Sequence, residues 1–519
     1  MLYYGKQPSE GPFRQILSFL NDPASGEQSE VQLGNIATHR EISLIEEIFA
    51  FDGPPDATVS IGGEDYYYFS GESYLGLQAH PEVLAATCEA VLHYGTSAGS
   101  LRRRYTPVPI FDVQRQAAEI YGTDEALYCQ SETDALEYVL ESVASSYDLV
   151  LVDELCGDSA LAIIRRVVDQ NGLKMATFRH RNANNLKEIL ERKTRDCAVR
   201  PLVVTDGVFN VIGTIAPLPD YYDVLAAYPD AGLLIDDSDA IGVLGEKGRG
   251  TLEYYEYRTD EVNRTAQDSQ DDPTYGMMGD FSMPGTEDFG DAGEGYEEDE
   301  DEDVEDGDDG EPEEDSEEGY GGYDDELDDS DDDQDSMDGS FPTGTGCSKR
   351  TAGLSGDSFR SLPVRTYLLA SLARGIGGFG CIVPGSASFV DRIRDSARFQ
   401  LSGYPPTPLA AATFKGLQLS YYKGDIRHKL WNNVYYFKSE MKKLGFSVQE
   451  NMVPIVAFST GADQNMRRIQ REMIKDQILV SYQRKVNSLC REGTLRAAVF
   501  ASHERAMLDI FFETLERTL

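Results

Sequence analysis

The sequence predicts an α/β protein with a mostly parallel sheet in a large domain and a smaller C-terminal α+β domain. Two observations lead to this prediction. Short runs of apolar and β-branched residues alternate with amphipathic stretches through the first part of the chain. At about residue 386 the pattern changes to longer helical stretches with fewer apolar runs. Continuous apolar strands separated by helices are typical of a parallel sheet that is covered on both faces.

Three of the four predicted strands end in acidic residues. The strands are expected at 147–155, 200–209, 231–239 and 365–374. Amphipathic stretches between them predict helices, for example at 183–194 and 218–228. The first three strands end in Asp153, in Asp206, and in the pair Asp236 and Asp237. Since parallel sheets bind ligands at the carboxyl ends of their strands, these acids indicate a candidate site.

The C-terminal part is expected to alternate helix and strand differently. Its patterns predict a helix at 432–446, a strand at 453–460, a helix followed by a strand at 467–483 and a closing helix at 503–519.

An acidic insertion accounts for most of the net charge of −45. Between Glu287 and Asp338 there are 31 Asp and Glu and no Lys or Arg, so the remaining chain carries about −14. Such a stretch repels itself and cannot bury apolar surface, which predicts a disordered insertion at 259–362. It would be a solvating loop or a docking strip for a basic protein or divalent cations. Nucleic acid is not an expected partner, because its phosphates would be repelled.

Several classes of protein are excluded by the composition. No apolar run reaches about 18 residues, so no membrane span is expected, and the N-terminus lacks a signal-peptide pattern. The seven cysteines show no CxxC spacing, and His39, His93 and His428 have no neighbours that suggest a metal site. A cytoplasmic protein with free thiols and no metal is expected.

These patterns divide the chain into four parts. They are an N-terminal segment at 1–58, a large domain at 59–258 and 363–385, the acidic insertion at 259–362 and a small C-terminal domain at 386–519.

Seven stretches, in order along the chain, carry a resemblance to a known family. They are ESYLGLQAHPEVLAA (72–86), YGTSAGSLRRRYTP (94–107), TFRHRNANNLKEIL (177–190), VVTDGVFNVIGTIAPLPD (203–220), IDDSDAIGVLGEKGRGT (235–251), GGFGCIVPGS (377–386) and YPPTPLAAA (404–412). Together they resemble the α-oxoamine synthases of the aminotransferase class I/II superfamily. These enzymes use pyridoxal phosphate (PLP) to join an amino acid to an acyl-CoA. The resemblance implies the PLP fold-type-I architecture.

One residue departs from that family at its central position. The family holds PLP as a Schiff base on the lysine of T-x-x-K-x-x-G-G, and the matching frame here starts at Ser371 and places Arg374 at the lysine. A guanidinium stays protonated and cannot form an aldimine. The resemblance thus implies PLP as cofactor, but covalent binding is not expected at this position. Arg374 is expected to pair with Asp236 or Asp239, or to anchor an anion.

Other pocket positions have also changed. The resemblance implies that Asp236 keeps the acid of the PLP pyridinium nitrogen, whereas Asp239 and Gly157 stand where the family has histidines. The phosphate-side turn becomes SETD, starting at Ser131, and its two acids would repel a phosphate. The vestigial PLP pocket is therefore expected to comprise Ser131, Asn210, Asp236, Asp239, Ser371 and Arg374.

Two further positions correspond to groups that hold the amino-acid carboxylate in the family. Ser73 replaces an asparagine, and Arg496 corresponds to the family's carboxylate-binding arginine.

The hypothesis is a pseudoenzyme that serves as partner or regulatory subunit of an active synthase. The loss of the lysine together with both histidines resembles that in the non-catalytic long-chain-base subunit of serine palmitoyltransferase. A homodimer, or a heterodimer with an active α-oxoamine synthase, is the expected assembly. Two alternatives stay open. One is an active acyltransferase with its Schiff base moved to Lys349, and the other is a non-catalytic binder of an anionic small ligand.

Overall fold

The computed structural model describes residues 50–97, 106–195, 198–255, 362, 364–483 and 493–519. Lys349, the predicted insertion up to residue 361 and most of the predicted N-terminal segment lie outside the described residues. So does 98–105, in one of the stretches that carry the family resemblance. The predicted domain boundaries stay predictions.

The described strands are short and are numbered in chain order. They are β1 (Thr58–Ile61), β2 (Glu64–Tyr68), β3 (Glu125–Cys129), β4 (Leu149–Asp153), β5 (Lys174–Phe178), β6 (Pro201–Asp206), β7 (Val208–Phe209), β8 (Thr214–Ile215), β9 (Gly232–Asp236), β10 (Arg365–Ser371), β11 (Cys381–Gly385), β12 (Ile455–Phe458), β13 (Ile478–Leu479), β14 (Ser481–Gln483) and β15 (Thr494–Ala498).

The described α-helices are numbered in the same way. They are α1 (Pro81–Tyr94), α2 (Val108–Tyr121), α3 (Glu132–Val143), α4 (Asp158–Asn171), α5 (Ala183–Thr194), α6 (Leu218–Leu225), α7 (Ala387–Arg394), α8 (Ala397–Leu401), α9 (Thr407–Tyr422), α10 (Gly424–Lys443), α11 (Asp463–Lys475) and α12 (Arg505–Thr518).

A seven-stranded sheet with the order β3-β11-β10-β9-β6-β4-β5 forms the centre of the fold. Its strands run parallel except β11, which is antiparallel to both neighbours. The predicted fold class, a mostly parallel sheet followed by a C-terminal α+β region, is confirmed.

Alternation along the strands places apolar side chains on both faces of this sheet. In β4, Val150 and Val152 pack in one core cluster with residues of α3 and α4. Leu149 and Leu151 point the other way and pack with residues of α5 and α6. Both faces are therefore covered, which explains why the strand sequences are continuously apolar.

The C-terminal region pairs β12, β15 and β14 in a second sheet. Phe437 of α10 and Phe511 of α12 lie in its core with no exposed surface. Helix α10 begins at Gly424, eight residues before the predicted start. Its first turns are polar, yet Arg427 is buried and donates from Nη1 to the carbonyl of Ser420 at 2.9 Å. A polar helix start that buries an arginine gives no apolar periodicity to detect.

Strand β10 ends three residues before Arg374, whereas the sequence predicted a strand through residue 374. The Gly377 amide donates to the Arg374 carbonyl at 3.2 Å, which closes a turn after the strand. Gly377 has a φ of 64°, and a Cβ there would overlap the backbone of Gln78. This turn therefore requires glycine, and it directs Arg374 into the space above the sheet.

No helix within the described part of the chain is both long enough and apolar enough to cross a membrane.

Candidate functional site

Acidic side chains converge where strands β6 and β9 end. These strands are neighbours, and their parallel register pairs Asp206 directly with Asp236. Asp236 in turn pairs with Leu369 of β10, two residues before that strand ends at Ser371. The carboxyl edge of the sheet thus carries acids on adjacent strands, as the sequence predicted.

Arg374 lies above this edge and contacts three carboxylates. Its Nη1 lies 2.5 Å from Oδ2 of Asp239, its Nη2 lies 3.0 Å from Oε2 of Glu132, and its Nε lies 3.3 Å from Oε2 of Glu72. The guanidinium side chain is 20% exposed. Burial disfavours its charge, but Asp239, Glu132 and Glu72 outweigh that effect, so the pKa of Arg374 is raised above its ordinary value. Arg374 therefore stays positively charged, and we call the arginine with Glu72, Glu132 and Asp239 the acidic cage.

A hydrogen-bonded chain continues from this cage to Arg496. The Tyr74 hydroxyl donates to Oδ1 of Asp239 at 2.8 Å, and Nη2 of Arg496 lies 3.4 Å from the same hydroxyl. Nε of Arg496 donates to the carbonyl of Asn210 at 2.8 Å. Tyr74 is fully buried, and burial followed by the charge of Asp239 raises its pKa well above the ordinary value. It therefore acts as a neutral hydrogen-bond bridge between the two ends of the site.

Asp236 is held by Ser238 and does not pair directly with Arg374. The backbone amide and hydroxyl of Ser238 donate to its Oδ1 at 3.1 and 2.5 Å, and Ser238 Oγ accepts from the Ser371 amide at 2.8 Å. Burial and the nearby charges of Glu132 and Asp206 raise the pKa of Asp236 well above its ordinary value. Of the two expected partners of Arg374, the structure pairs it with Asp239.

The neighbouring acids differ in role. Removal from bulk water, followed by the charges of Asp239 and Asp153, raises the pKa of Asp206 to about 8. Asp237 accepts a hydrogen bond from the Thr251 amide at 2.9 Å. Asp237 thus anchors the following segment, whereas Asp206 belongs to the acidic edge.

Ser131 caps helix α3 at the turn where the family resemblance implies a phosphate. Its Oγ accepts from the Asp134 amide at 3.1 Å. Glu132 and Asp134 occupy the first turn of the helix, where they complement its positive end. A phosphate would compete with these carboxylates for the same positive end and would be repelled by them.

Gly157 leaves open space at the start of α4. A Cβ built there would meet no atom within 4 Å. The resemblance implies a histidine that stacks on the cofactor ring at this position, and no side chain is present to do so. His180 occupies another family position. Its Nδ1 forms a hydrogen bond with Oδ1 of Asp153 at 2.9 Å, and its Nε2 forms one with the Thr214 hydroxyl at 3.0 Å. These two hydrogen bonds connect the end of strand β4 to the β7–β8 hairpin.

The remaining predicted residue contributes through its neighbours. Ser73 is half-buried, and its carbonyl accepts from the Gly76 amide at 2.8 Å. This turn places Glu72 and Tyr74 in the network. Sequence reasoning missed both residues, and it treated Glu132 only as a group that repels phosphate. The available signal was charge: an arginine in place of a buried lysine needs acidic partners, and Glu72 lies directly before Ser73 in the motif.

The residues present do not fit a Schiff-base-bound PLP. A charged guanidinium occupies the lysine position, the ring-stacking histidine is replaced by glycine, and carboxylates line the phosphate-side turn. Within the described residues, no cluster of three His, Cys, Asp or Glu could hold a metal ion.

A mostly parallel seven-stranded sheet with its acidic site at the carboxyl edge, followed by an α+β region, defines a protein of PLP fold type I. The family model for aminotransferase class I and II matches residues 67–261 and 364–515. The chain belongs to this family. PLP is the cofactor of that family.

Similar proteins cover almost the whole chain. The 8-amino-7-oxononanoate synthase of Alkaliphilus oremlandii is 24% identical over 492 residues, which is 94% of each chain. A serine palmitoyltransferase from S. paucimobilis, solved with a bound PLP–myriocin aldimine, superposes with a TM-score of 0.63 at 16% identity and covers 91% of this chain and 92% of its own. The serine palmitoyltransferase of Sphingomonas wittichii gives 0.62 at 15% identity and covers 98% and 95%. The two solved structures show that the fold is shared.

Removing the cation from the cage is expected to destabilise the protein. Arg374→Ala leaves three carboxylates without their partner, which is expected to lower the free energy of unfolding by about 3 kcal/mol. Urea denaturation followed by circular dichroism measures the change. Arg200→Ala is the control, because Arg200 pairs with Asp148 at the exposed surface, and such pairs contribute about 1 kcal/mol or less. An equal decrease in the free energy of unfolding in the two variants would contradict a stabilising role for the three ion pairs of Arg374.

Asp206 is expected to make stability depend on pH. Its pKa rises from 3.8 in the unfolded chain to about 8 in the folded protein. Between pH 3.8 and pH 8, Asp206 keeps its proton in the folded protein but has lost it in the unfolded chain. The free energy of unfolding therefore falls as pH rises, by at most about 1.4 kcal/mol per pH unit. Asp206→Asn removes the effect, and its stability relative to the original chain should grow from pH 5 to pH 8. A difference that is independent of pH in urea titrations would contradict the assignment.

Proposed function

We propose that this chain is a catalytically impaired α-oxoamine synthase-like protein that acts as partner or regulatory subunit of an active synthase. The observation that carries the proposal is the pairing of Arg374 with Glu72, Glu132 and Asp239. The family reaction condenses an amino acid with an acyl-CoA on Schiff-base-bound PLP. A guanidinium cannot form that bond, and three ion pairs keep it at the position where the lysine would act.

The partner role is supported by an exposed apolar face. Leu84, Val91 and Leu92 of α1 are between 40% and 49% exposed and lie on one side of the helix. Helix α9, which packs against α1, adds Leu409 at 37% and Tyr422 at 59% exposed. Exposed apolar side chains on two helices that pack together indicate an interaction surface. Its proposed occupant is an α-oxoamine synthase subunit of the same fold, either a second copy or an active homologue.

A relocated Schiff base is the alternative that the sequence raises. It requires Lys349, which lies outside the described residues, and none of the described contacts favours it.

Turnover and assembly test the proposal together. The purified chain, supplied with PLP, amino acids and acyl-CoAs, is expected to release no CoA above a blank. Mixed with an active α-oxoamine synthase of the same organism, it is expected to form a mixed dimer in analytical ultracentrifugation and to change the rate of CoA release. Leu92→Glu should prevent the mixed dimer, whereas Leu401→Glu, on the exposed side of α8, should not. Steady CoA release by the chain alone would contradict the proposal.

A second function, binding of a small carboxylate without chemistry, is favoured by Arg496. This arginine is only 4% exposed, yet its described contacts are a carbonyl and a hydroxyl, and no carboxylate of the described residues forms an ion pair with it. A buried arginine without an acidic partner is costly unless a ligand supplies the anion. The ligand class that fits is an α-amino carboxylate, the class of the family's amino-acid substrate.

Arg496→Gln is expected to weaken binding of such a ligand at least tenfold. Isothermal titration with L-alanine and L-serine measures the effect, and the corresponding amino alcohols, which lack the carboxylate, should not bind. Arg467→Gln is the control, since Arg467 pairs with Asp463 on α11 at a partly exposed position. If the original chain binds neither amino acid at millimolar concentration, the binding function is wrong and the subunit role is unaffected.

A further inference from the structure

Two buried cysteines lie opposite each other on neighbouring strands of the central sheet. Cys129 is the last residue of β3 and Cys381 is the first of β11, and the antiparallel register pairs them directly. Neither has exposed surface, and both belong to the same core cluster. Neither forms a disulfide in this structure. The site described above uses neither of them.

The register of this pair is compatible with a disulfide. Directly opposed residues of antiparallel strands have Cα atoms about 4.5–5.5 Å apart, and their side chains point to the same face. Disulfides span Cα separations of about 4.4–6.8 Å. The bond can therefore form without separating the strands.

Gly380 brings the two strand ends close together. Its φ is 76°, and a Cβ at this position would overlap the carbonyl oxygen of Cys129. Only glycine allows this approach, directly before Cys381.

The position of β3 in the sheet supplies a route for reaction. Among the described strands of this sheet, β3 lies at the edge and pairs with β11. Edge strands open locally more readily than central strands, because fewer hydrogen bonds must break. Cys156 provides a contrast, since it is equally buried but lies after the central strand β4, with its Sγ 3.8 Å from the carbonyl of Val204.

We propose that Cys129 and Cys381 form a redox-active dithiol, which a low-molecular-weight disulfide such as oxidised glutathione converts into a cross-strand disulfide. One cysteine thiolate attacks the glutathione disulfide and releases one glutathione thiolate. The second cysteine then attacks the mixed disulfide, forms the protein S–S bond and releases the second glutathione. The protein loses two electrons and two protons, and the glutathione disulfide gains them as two thiols. This inference does not depend on the proposed function.

The bond would lock the part of the sheet that carries the acidic cage. Cys129 lies two residues before Ser131, the cap of the helix that begins with Glu132. Cys381 pairs with Ser371, three residues before Arg374. A covalent link at this level would hold Glu132 and Arg374 at a fixed separation.

Reaction is expected to be slow in the native protein. Burial, followed by the proximity of Cys129, raises the pKa of the Cys381 thiol well above its usual range. The reactive thiolate therefore forms mainly when β3 opens, and the rate should rise with pH.

Glutathione redox buffers test the proposal on the full chain. The native protein is equilibrated in buffers from reducing to oxidising, free thiols are alkylated in denaturant, and peptides are mapped without reduction. A second sample is refolded from denaturant in the oxidising buffer, so that burial cannot block the reaction. The expected result is a peptide pair that links Cys129 to Cys381, while Cys156 is alkylated throughout. The linked protein should unfold at a temperature higher by about 5 °C.

Variants separate this pair from the other thiols. Cys129→Ser should abolish the link and leave Cys381 open to alkylation, whereas Cys156→Ser should keep the link. Two results would overturn the proposal. One is full alkylation of Cys129 and Cys381 in both the equilibrated and the refolded sample. The other is a link from either residue to a different cysteine in place of this pair.

Discussion

One guanidinium balances three carboxylates at the carboxyl edge of the sheet, and the organisation of the site depends on that balance. Glu72, Glu132 and Asp239 come from three separate segments, and each lies within 3.3 Å of Arg374. Without the cation they would repel one another in a partly buried space. With it, they join the segment after β2, the start of α3 and the segment after β9 to the turn that follows β10. The family resemblance implies that Arg374 stands at the position of the cofactor-binding lysine, and a guanidinium cannot form a Schiff base.

Arg496 lies at the other end of the site, where we propose that a small carboxylate binds. Tyr74 connects the cage to Arg496, which is buried and has no acidic partner among the described residues. In the function that we propose, the ion-pair network occupies the cofactor end and Arg496 provides the carboxylate end. The proposed subunit role requires the fold and the binding surfaces, but not the chemistry.

The sequence was sufficient for the fold class and for the positions of Arg374, Asp236 and Asp239, because apolar strands and a glycine-rich turn are local patterns. It could not give the partners of Arg374. Glu72 lies about 300 residues before it in the chain, and its proximity is a product of tertiary packing. The start of α10 was missed for a similar reason, since its polar first turns bury Arg427 against backbone carbonyls that no local pattern reveals.

The most direct measurement is a PLP titration of the purified chain, followed by borohydride reduction and peptide mapping. We expect no aldimine absorbance and no lysine modified in stoichiometric amount, because Arg374, which stands at the expected lysine position, cannot form an aldimine. Stoichiometric label on one lysine, whether Lys349 or another, would contradict it and would restore an active enzyme with a relocated Schiff base.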